Sequence, residues 1–245
     1  MHRRLAMKGD CDMGTTGMLM GYDIYFLILV IPAFIVSLAV QFYLKSTYKR
    51  MSLVYNARGI TGAQAAAQVL SMHSINNVGI IPVAGTLSDH FDPRTSVIGL
   101  SQGVYNSTSV AAIGIACHEA GHAAQHYQNY GPIKIRNAIL PAANIGSMLG
   151  LPMAVLGFIM GFDLLVTIGL VLYSLIAVFQ LVTLPVEFNA SKRAMEAIEN
   201  SAMLQEDEKR GAKKVLTAAA MTYVAALAVS LANILRLLLR FRGRR

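Results

Sequence analysis

From Ile24 to Leu44 the chain runs without a charged residue, and two further apolar stretches, about Ala142 to Met160 and Leu164 to Val186, are separated only by Gly161-Phe162-Asp163. A fourth runs from about Thr217 to Leu235. Inside a bilayer every backbone N–H and C=O must be satisfied by the chain itself, so runs of about 20 apolar residues, enough to cross ~30 Å of hydrocarbon, are expected to be helices. Composition agrees: 55% of the residues are hydrophobic and 14% charged, with a mean hydropathy of +0.50. Such a chain is not an ordinary soluble domain. The expected fold class is a mainly α membrane protein, and the short link at Gly161-Phe162-Asp163 makes the middle pair a helical hairpin.

Charge then orients it. Lys45, Lys49, Arg50 and Arg58 directly follow the first stretch, whereas only Lys8 lies close on its other side. The positive-inside rule therefore puts the residues after 44 in the cytoplasm. Lys192, Arg193, Lys209, Arg210, Lys213 and Lys214 fit the same face. The last stretch strains the rule, because crossing would carry Arg236, Arg240 and the basic tail outside; either it does not fully span or the tail opposes the trend. Ser37-Leu38-Ala39 resembles a signal cleavage site, but the apolar run is longer than a signal peptide's core of about 7–15 residues, so an uncleaved anchor is expected. Met13, Met18 and Met20 are each possible starts. The net charge of +8 comes with no Trp, no aromatic-basic interleaving and no helix-turn-helix pattern. It reads as membrane-flanking charge, with no nucleic-acid partner.

The expected division is a tail over 1–21, a transmembrane helix over 22–44, a soluble domain over 45–141 and a transmembrane hairpin over 142–186. A helix over 187–216, a transmembrane or membrane-associated helix over 217–239 and a basic tail over 240–245 complete it. In the soluble domain, Thr61 caps a helix that runs to Met72. Val78 to Val83 and Ser96 to Leu100 read as strands around an Asp92-Pro93-Arg94-Thr95 turn, giving two or three strands. There follows Ser109 to Ala116, an apolar helical lead-in with Ser107 or Ser109 as N-cap, and then Cys117-His118-Glu119-Ala120-Gly121-His122.

That H-E-x-x-H places His118 and His122 one turn apart on one helix face, where both imidazoles can reach a single Zn²⁺. Glu119, about a quarter-turn round, can instead reach a water and take its proton as general base. A third ligand is required. His126 would stretch the set over about 12 Å of helix, too far for one ion with Zn–N bonds near ~2 Å, so it is a poor ligand and reads as a group either behind the ligands or at the rim. It also falls short of the metzincin spacing. The better candidate is Glu187, where Pro185 suits the first turn of a new helix; because a hairpin crosses twice, Glu187 emerges on the same side as the histidines. Asp89, His90 and Asp92 are more simply a turn and a surface histidine than ligands. The two cysteines, Cys11 and Cys117, are too few for a disulfide framework, and Cys117 reads as a small buried residue.

Gly-Ile-Thr-Gly-Ala at 59–63, Ser-Asp-His-Phe-Asp-Pro-Arg-Thr at 88–95, His-Glu-Ala-Gly-His-Ala-Ala-Gln-His at 118–126 and Leu-Pro-Val-Glu-Phe-Asn-Ala-Ser at 184–191 together resemble the YugP-like membrane zinc metallopeptidases. The resemblance runs from about Tyr22 to Leu239 and implies a multi-pass cell-membrane protein with a zincin-like α+β peptidase domain and a small sheet. More distantly, the chain is similar to the HtpX-like and CAAX prenyl proteases. There an Asp commonly follows the ligand Glu by four residues and orients a histidine; here Ser191 stands in that place.

The function expected is a zinc-dependent endopeptidase acting through an activated water on membrane-associated proteins or peptides, with a cytoplasmic catalytic domain. His118, His122 and Glu187 bind the metal and Glu119 is catalytic. Intramembrane cleavage is disfavoured, because the apolar run before the motif is about nine residues, short of the ~17–25 that span. Transport is disfavoured because the apolar stretches carry almost no ionisable residue. A zinc-binding membrane scaffold or chaperone without protease activity is the remaining alternative.

Overall fold

The structure, a computed structural model, describes residues 23–242; the expected tail over 1–21, with its possible start methionines and Cys11, and the last three arginine-rich positions lie outside them. Helix α1 (Phe26–Met51) begins with a π-helical turn at Phe26–Val30. Helix α2 (Gly62–Met72) starts at a capping box in which Thr61 and Gln64 exchange side-chain and backbone hydrogen bonds, as its sequence requires. Strands β1 (Gly79–Val83), β2 (His90–Asp92) and β3 (Val97–Ser101) follow. They form one sheet in the order β1-β3-β2, with β1 parallel and β2 antiparallel to β3. A short turn of helix, α3 (Gln102–Tyr105), leads to α4 (Val110–Tyr127).

Of the two candidate caps of α4 it is Ser109 that serves, its Oγ accepting from Ala112 N at 3.2 Å, while Ser107 donates to Ser109 Oγ. Helix α4 is the centre of the molecule. Nearly all of its residues from Val110 to Gln125 are buried, in a core that α2, β3 and the later helices complete. The run of Ala and Gly on α4 makes this possible, since small side chains let several neighbours approach one helix closely.

Helix α5 (Gly131–Met160), π-helical at Gly146–Gly150, and helix α6 (Asp163–Asn200) form the expected hairpin. Gly161 turns the corner in the left-handed region at φ 70°, which glycine adopts without a Cβ penalty. The two helices meet through α5 glycines: a Cβ on Gly150 would stand 2.6 Å from Tyr173 N, and one on Gly157 2.6 Å from Val166 N. Ser147, in the same stretch, is exposed and donates to Asn144 O.

One local expectation is overturned. No new helix starts at Pro185: α6 is continuous from Asp163 through Glu187 to Asn200, with Pro185 inside it. A proline removes one i→i−4 bond, and an apolar span with a neighbouring helix tolerates that loss better than a water-exposed helix does.

After a break at Ser201–Gln205, α7 (Glu206–Arg242) runs antiparallel to α1 along its length. A Cβ on Gly211 at its start would lie 3.0 Å from Met51 Sδ at the end of α1. At the far end, Arg236 Nε and Arg240 Nη1 each lie 2.7 Å from Asp23 Oδ2. Arg236 also stacks over Phe26, and Arg240 over Phe158 of α5. Among the described residues four helices, α1, α5, α6 and α7, are long and apolar enough to cross a membrane. Their outward faces carry Phe42, Met148 and Ile159, each more than 70% exposed, an apolar surface that calls for an apolar surrounding.

Candidate metal centre

Helix α4 presents His118 and His122 with their rings edge to face, centroids 4.7 Å apart. Helix α6 crosses α4 where Gly121 meets Ala190, so closely that a Cβ on Gly121 would lie 2.8 Å from Ala190 O. That crossing sets Glu187, 3% exposed, one helical turn before Ser191 and directly over the two imidazoles. Its Oε2 lies 3.3 Å from His118 Nε2 and 3.5 Å from His122 Nε2, and the three ligand atoms all fall within 4.8 Å of one another.

The residues fit a zinc ion. Four ligands at tetrahedral angles and bonds of about 2.0–2.1 Å stand about 3.4 Å apart, which is the spacing of the carboxylate oxygen from both nitrogens. Glu187 Oε2 is buried and makes no hydrogen bond of its own, a costly condition for a carboxylate oxygen unless a cation completes it.

The other ring nitrogens are also held. Ser191 Oγ lies 3.1 Å from His118 Nδ1, and Gln125 Oε1 lies 3.0 Å from His122 Nδ1. Gln125 is completely buried and its amide donates to Val186 O and Asn189 Oδ1 on α6, so its oxygen is the end that faces the histidine. An Nδ1–H donated to each of these oxygens leaves each Nε2 lone pair turned toward Glu187. Burial disfavours a charged His122, yet Glu187, with the charge of Glu119 and the contact to Gln125, outweighs it and holds this imidazole's pKa above the ordinary range.

Glu119 is 8% exposed and borders, with His118 and Glu187, a cleft of about 820 Å³. One wall of the cleft is β2 with the turn to Arg94; the other is the α5 face bearing Arg136, Asn137 and Asn144. His126 stands apart from the cluster, packed against Phe91 at 5.9 Å and Tyr127 at 5.5 Å between ring centroids. Asp89 accepts from Ser101 N and Oγ, His90 Nδ1 contacts Ser88 O and Asp92 accepts from Arg94 N. Among the described residues these three join no metal-binding group. Cys117 is fully buried, its thiol pushed up to about 12 by desolvation.

Two residues beside the site lay outside the sequence reading. Tyr223 of α7 borders the cleft with Glu119 and Glu187. Its signal was a phenol inside an apolar stretch, which reads equally as a membrane-interface tyrosine. Gln125 lay within the motif's own helix, but nothing in spacing alone turns its amide toward His122.

Residues 26–242 match the family described as "Putative neutral zinc metallopeptidase". Over 216 residues, 88% of this chain and 96% of the relative, the sequence is 42% identical to a protein of Bacillus subtilis (strain 168) described as "Putative membrane protease YugP". No solved structure matches the chain. Because the family match covers nearly all described residues, from the first turn of α1 to the end of α7, the chain belongs to this neutral zinc metallopeptidase family.

Proposed function

We propose that the protein is a multi-pass membrane zinc endopeptidase in which His118, His122 and Glu187 hold the ion and Glu119 moves the proton. The observation that carries this reading is the convergence of the two Nε2 atoms and Glu187 Oε2 beside a buried carboxylate at the mouth of a cleft. When bound, the ion supplies Lewis acidity toward a carbonyl oxygen and lowers the pKa of a water towards about 7. Glu119 accepts the proton of that water as it attacks the scissile carbon, then delivers it to the departing amine nitrogen. Tyr223, which borders the same cleft, is the phenol that would donate to the carbonyl oxygen as it gains charge. Ser191 and Gln125 keep both histidines in the tautomer that leaves Nε2 free.

The helix, small sheet and H-E-x-x-H helix follow one another as in a zincin-like peptidase domain. Strand β2 lies at the sheet edge and walls the cleft. Among the described residues no strand pairs with its outer edge, which offers backbone groups to an extended peptide, a mode of binding that is tolerant of sequence. From Asp163 to Glu187, α6 rises about 36 Å, slightly more than the ~30 Å hydrocarbon thickness. The site then sits at the membrane surface, on the cytoplasmic side by the placement of Lys45, Lys49 and Arg50. The ion pairs of Arg236 and Arg240 with Asp23 ease the charge conflict that a full crossing by α7 otherwise creates. Membrane-associated proteins or peptides are the substrates this position favours.

The test is zinc content and peptide cleavage by detergent-purified wild type and Glu119→Gln. One zinc in each with cleavage by wild type alone supports the peptidase. Zinc in both, with no cleavage of peptide or membrane-protein substrates, supports a zinc-bearing scaffold instead.

A further inference from the structure

A second cavity, of about 200 Å³, adjoins His118, Glu119 and Glu187. It shares Asp89, His118, Glu119, Glu187 and Tyr223 with the large cleft, but its remaining walls differ in kind. They are mainly apolar, from Leu44 at the end of α1's apolar run, Leu87 in the loop before β2, Ile115 one turn before His118, and Leu216, Ala219 and Ala220 on one face of α7, with Ser191 and Thr222 adding two hydroxyls. The cleft, by contrast, is bordered by Asp92, Arg94, Arg136, Asn137 and Asn144. The candidate metal centre therefore borders both a charged space and a mainly apolar one. At about 200 Å³ the apolar space is below the ~300–1,000 Å³ of sites that enclose a small-molecule ligand and is of side-chain size. Ala219 and Ala220 leave it open, since on the helix they stand between Leu216 and Tyr223 where any longer residue would fill the space.

Resting on the peptidase reading above, we propose that this cavity is the specificity pocket: it receives a large apolar side chain, of leucine or phenylalanine size, next to the scissile bond and always on the same side of it. An extended peptide laid against β2 sends successive side chains to opposite faces. With its carbonyl at the ion, one neighbouring side chain is thereby directed away from the cleft and into the space bounded by α7 and Ile115. The polar walls of the cleft receive the chain on the other side of the cut. Preferred substrates then carry an apolar residue at one fixed position, as a peptide does where it leaves a membrane.

The experiment uses the zinc-loaded full chain in detergent and two readouts. In the first, cleavage sites are mapped on a mixed peptide library with wild type and Ala219→Leu. Wild type should show Leu, Met or Phe at one fixed position, and Ala219→Leu should move that preference to Ala or Gly by at least about 10-fold, the effect of a methylene or more in an apolar pocket. In the second, peptidyl hydroxamates with an isobutyl or a methyl side chain are compared by the rise in Tm they produce. Isobutyl should bind wild type about 10-fold more tightly or better, and Ala219→Leu should lose that advantage. If Ala219→Leu fails to fold or to hold zinc, Leu87→Ala replaces it, with a weakened isobutyl preference expected. Cleavage without a fixed apolar position, or equal binding of the two hydroxamates by wild type, overturns the pocket. Absence of cleavage with the hydroxamate preference intact overturns the peptidase reading while the pocket stands.

Discussion

Ser191 Oγ lies 3.1 Å from Nδ1 of His118, four residues after Glu187 on the same face of α6, so one helix both supplies a candidate ligand and orients another. Here a hydroxyl makes the contact to the imidazole, without a charge. Ser191→Ala should leave the fold intact and weaken zinc binding by about 10- to 100-fold, the usual cost of losing such a partner. Ser191→Asp should hold zinc at least as tightly as wild type, because an ionised acceptor makes the stronger hydrogen bond to an imidazole N–H. Competition with a chelator of known affinity measures both. Unaltered affinity in Ser191→Ala would show that the contact does not orient His118.

The crossing of α4 and α6 makes a sharper demand. At Gly121 a methyl group would stand 2.8 Å from a backbone oxygen, that of Ala190, and backbone cannot move aside as a side chain can. Gly121→Ala should therefore push α6 outward, draw Glu187 from the histidines and lower stability by about 1–3 kcal/mol, as overpacking does. Zinc content and Tm are the readouts. Gly131, with open space around its Cβ position, provides the control: Gly131→Ala should leave zinc content unchanged.

The parts of the site legible in the sequence are those fixed by local geometry. His118, Glu119 and His122 need only helical spacing, and Thr61 with Gln64 needs only the capping pattern, so both could be read from the chain. Glu187 was reachable because a hairpin must return to its starting side, an argument from topology. What could not be read depends on how helices rotate against each other. Nothing local distinguishes Ser191 facing His118 from Ser191 facing solvent, or Tyr223 beside the carboxylates from Tyr223 beside lipid. Pro185 was misread because a proline marks a first turn in water but is tolerated mid-helix in an apolar span. The pairing of Asp23 with Arg236 and Arg240 was out of reach for the same reason, since it joins the two ends of the described chain.

Cys117 adjoins His118 but should be chemically silent. Its Sγ is fully buried against Met203 Sδ at 3.9 Å, and a thiol pKa pushed up to about 12 leaves on the order of one thiolate in ten thousand at pH 8. In a Cys11→Ser variant, which removes the other cysteine, iodoacetamide at pH 8 should not label the folded protein and should label it once after denaturation. Mass spectrometry reads the result. Rapid labelling of the native protein would mean that α4 opens far more often than its packing implies.

The clasp at the other end of the molecule should matter to stability rather than to zinc. Asp23 Oδ2 takes both Arg236 and Arg240, with Asp23 12% and Arg236 19% exposed, while Arg240 is 33% exposed and so contributes less. Asp23→Asn should lower stability by about 1–3 kcal/mol by leaving a half-buried arginine poorly paired, with zinc content unchanged. Its pH dependence follows from the same geometry. Burial acts to raise the Asp23 pKa, but the hydrogen bond from Arg236, the backbone N–H of Phe26, the charge of Arg236 and the hydrogen bond from Arg240 outweigh it and bring it below the ordinary carboxylate value. A depressed pKa contributes stability that is fully present above the unfolded-state value and disappears as pH falls through the folded one. Unfolding in detergent followed from pH 7 downward should therefore show wild type and Asp23→Asn differing most at neutral pH. The difference should close in the acid range below pH about 4. A gap that stays constant through that acid range would mean that Asp23 acts through its packing and not through its charge.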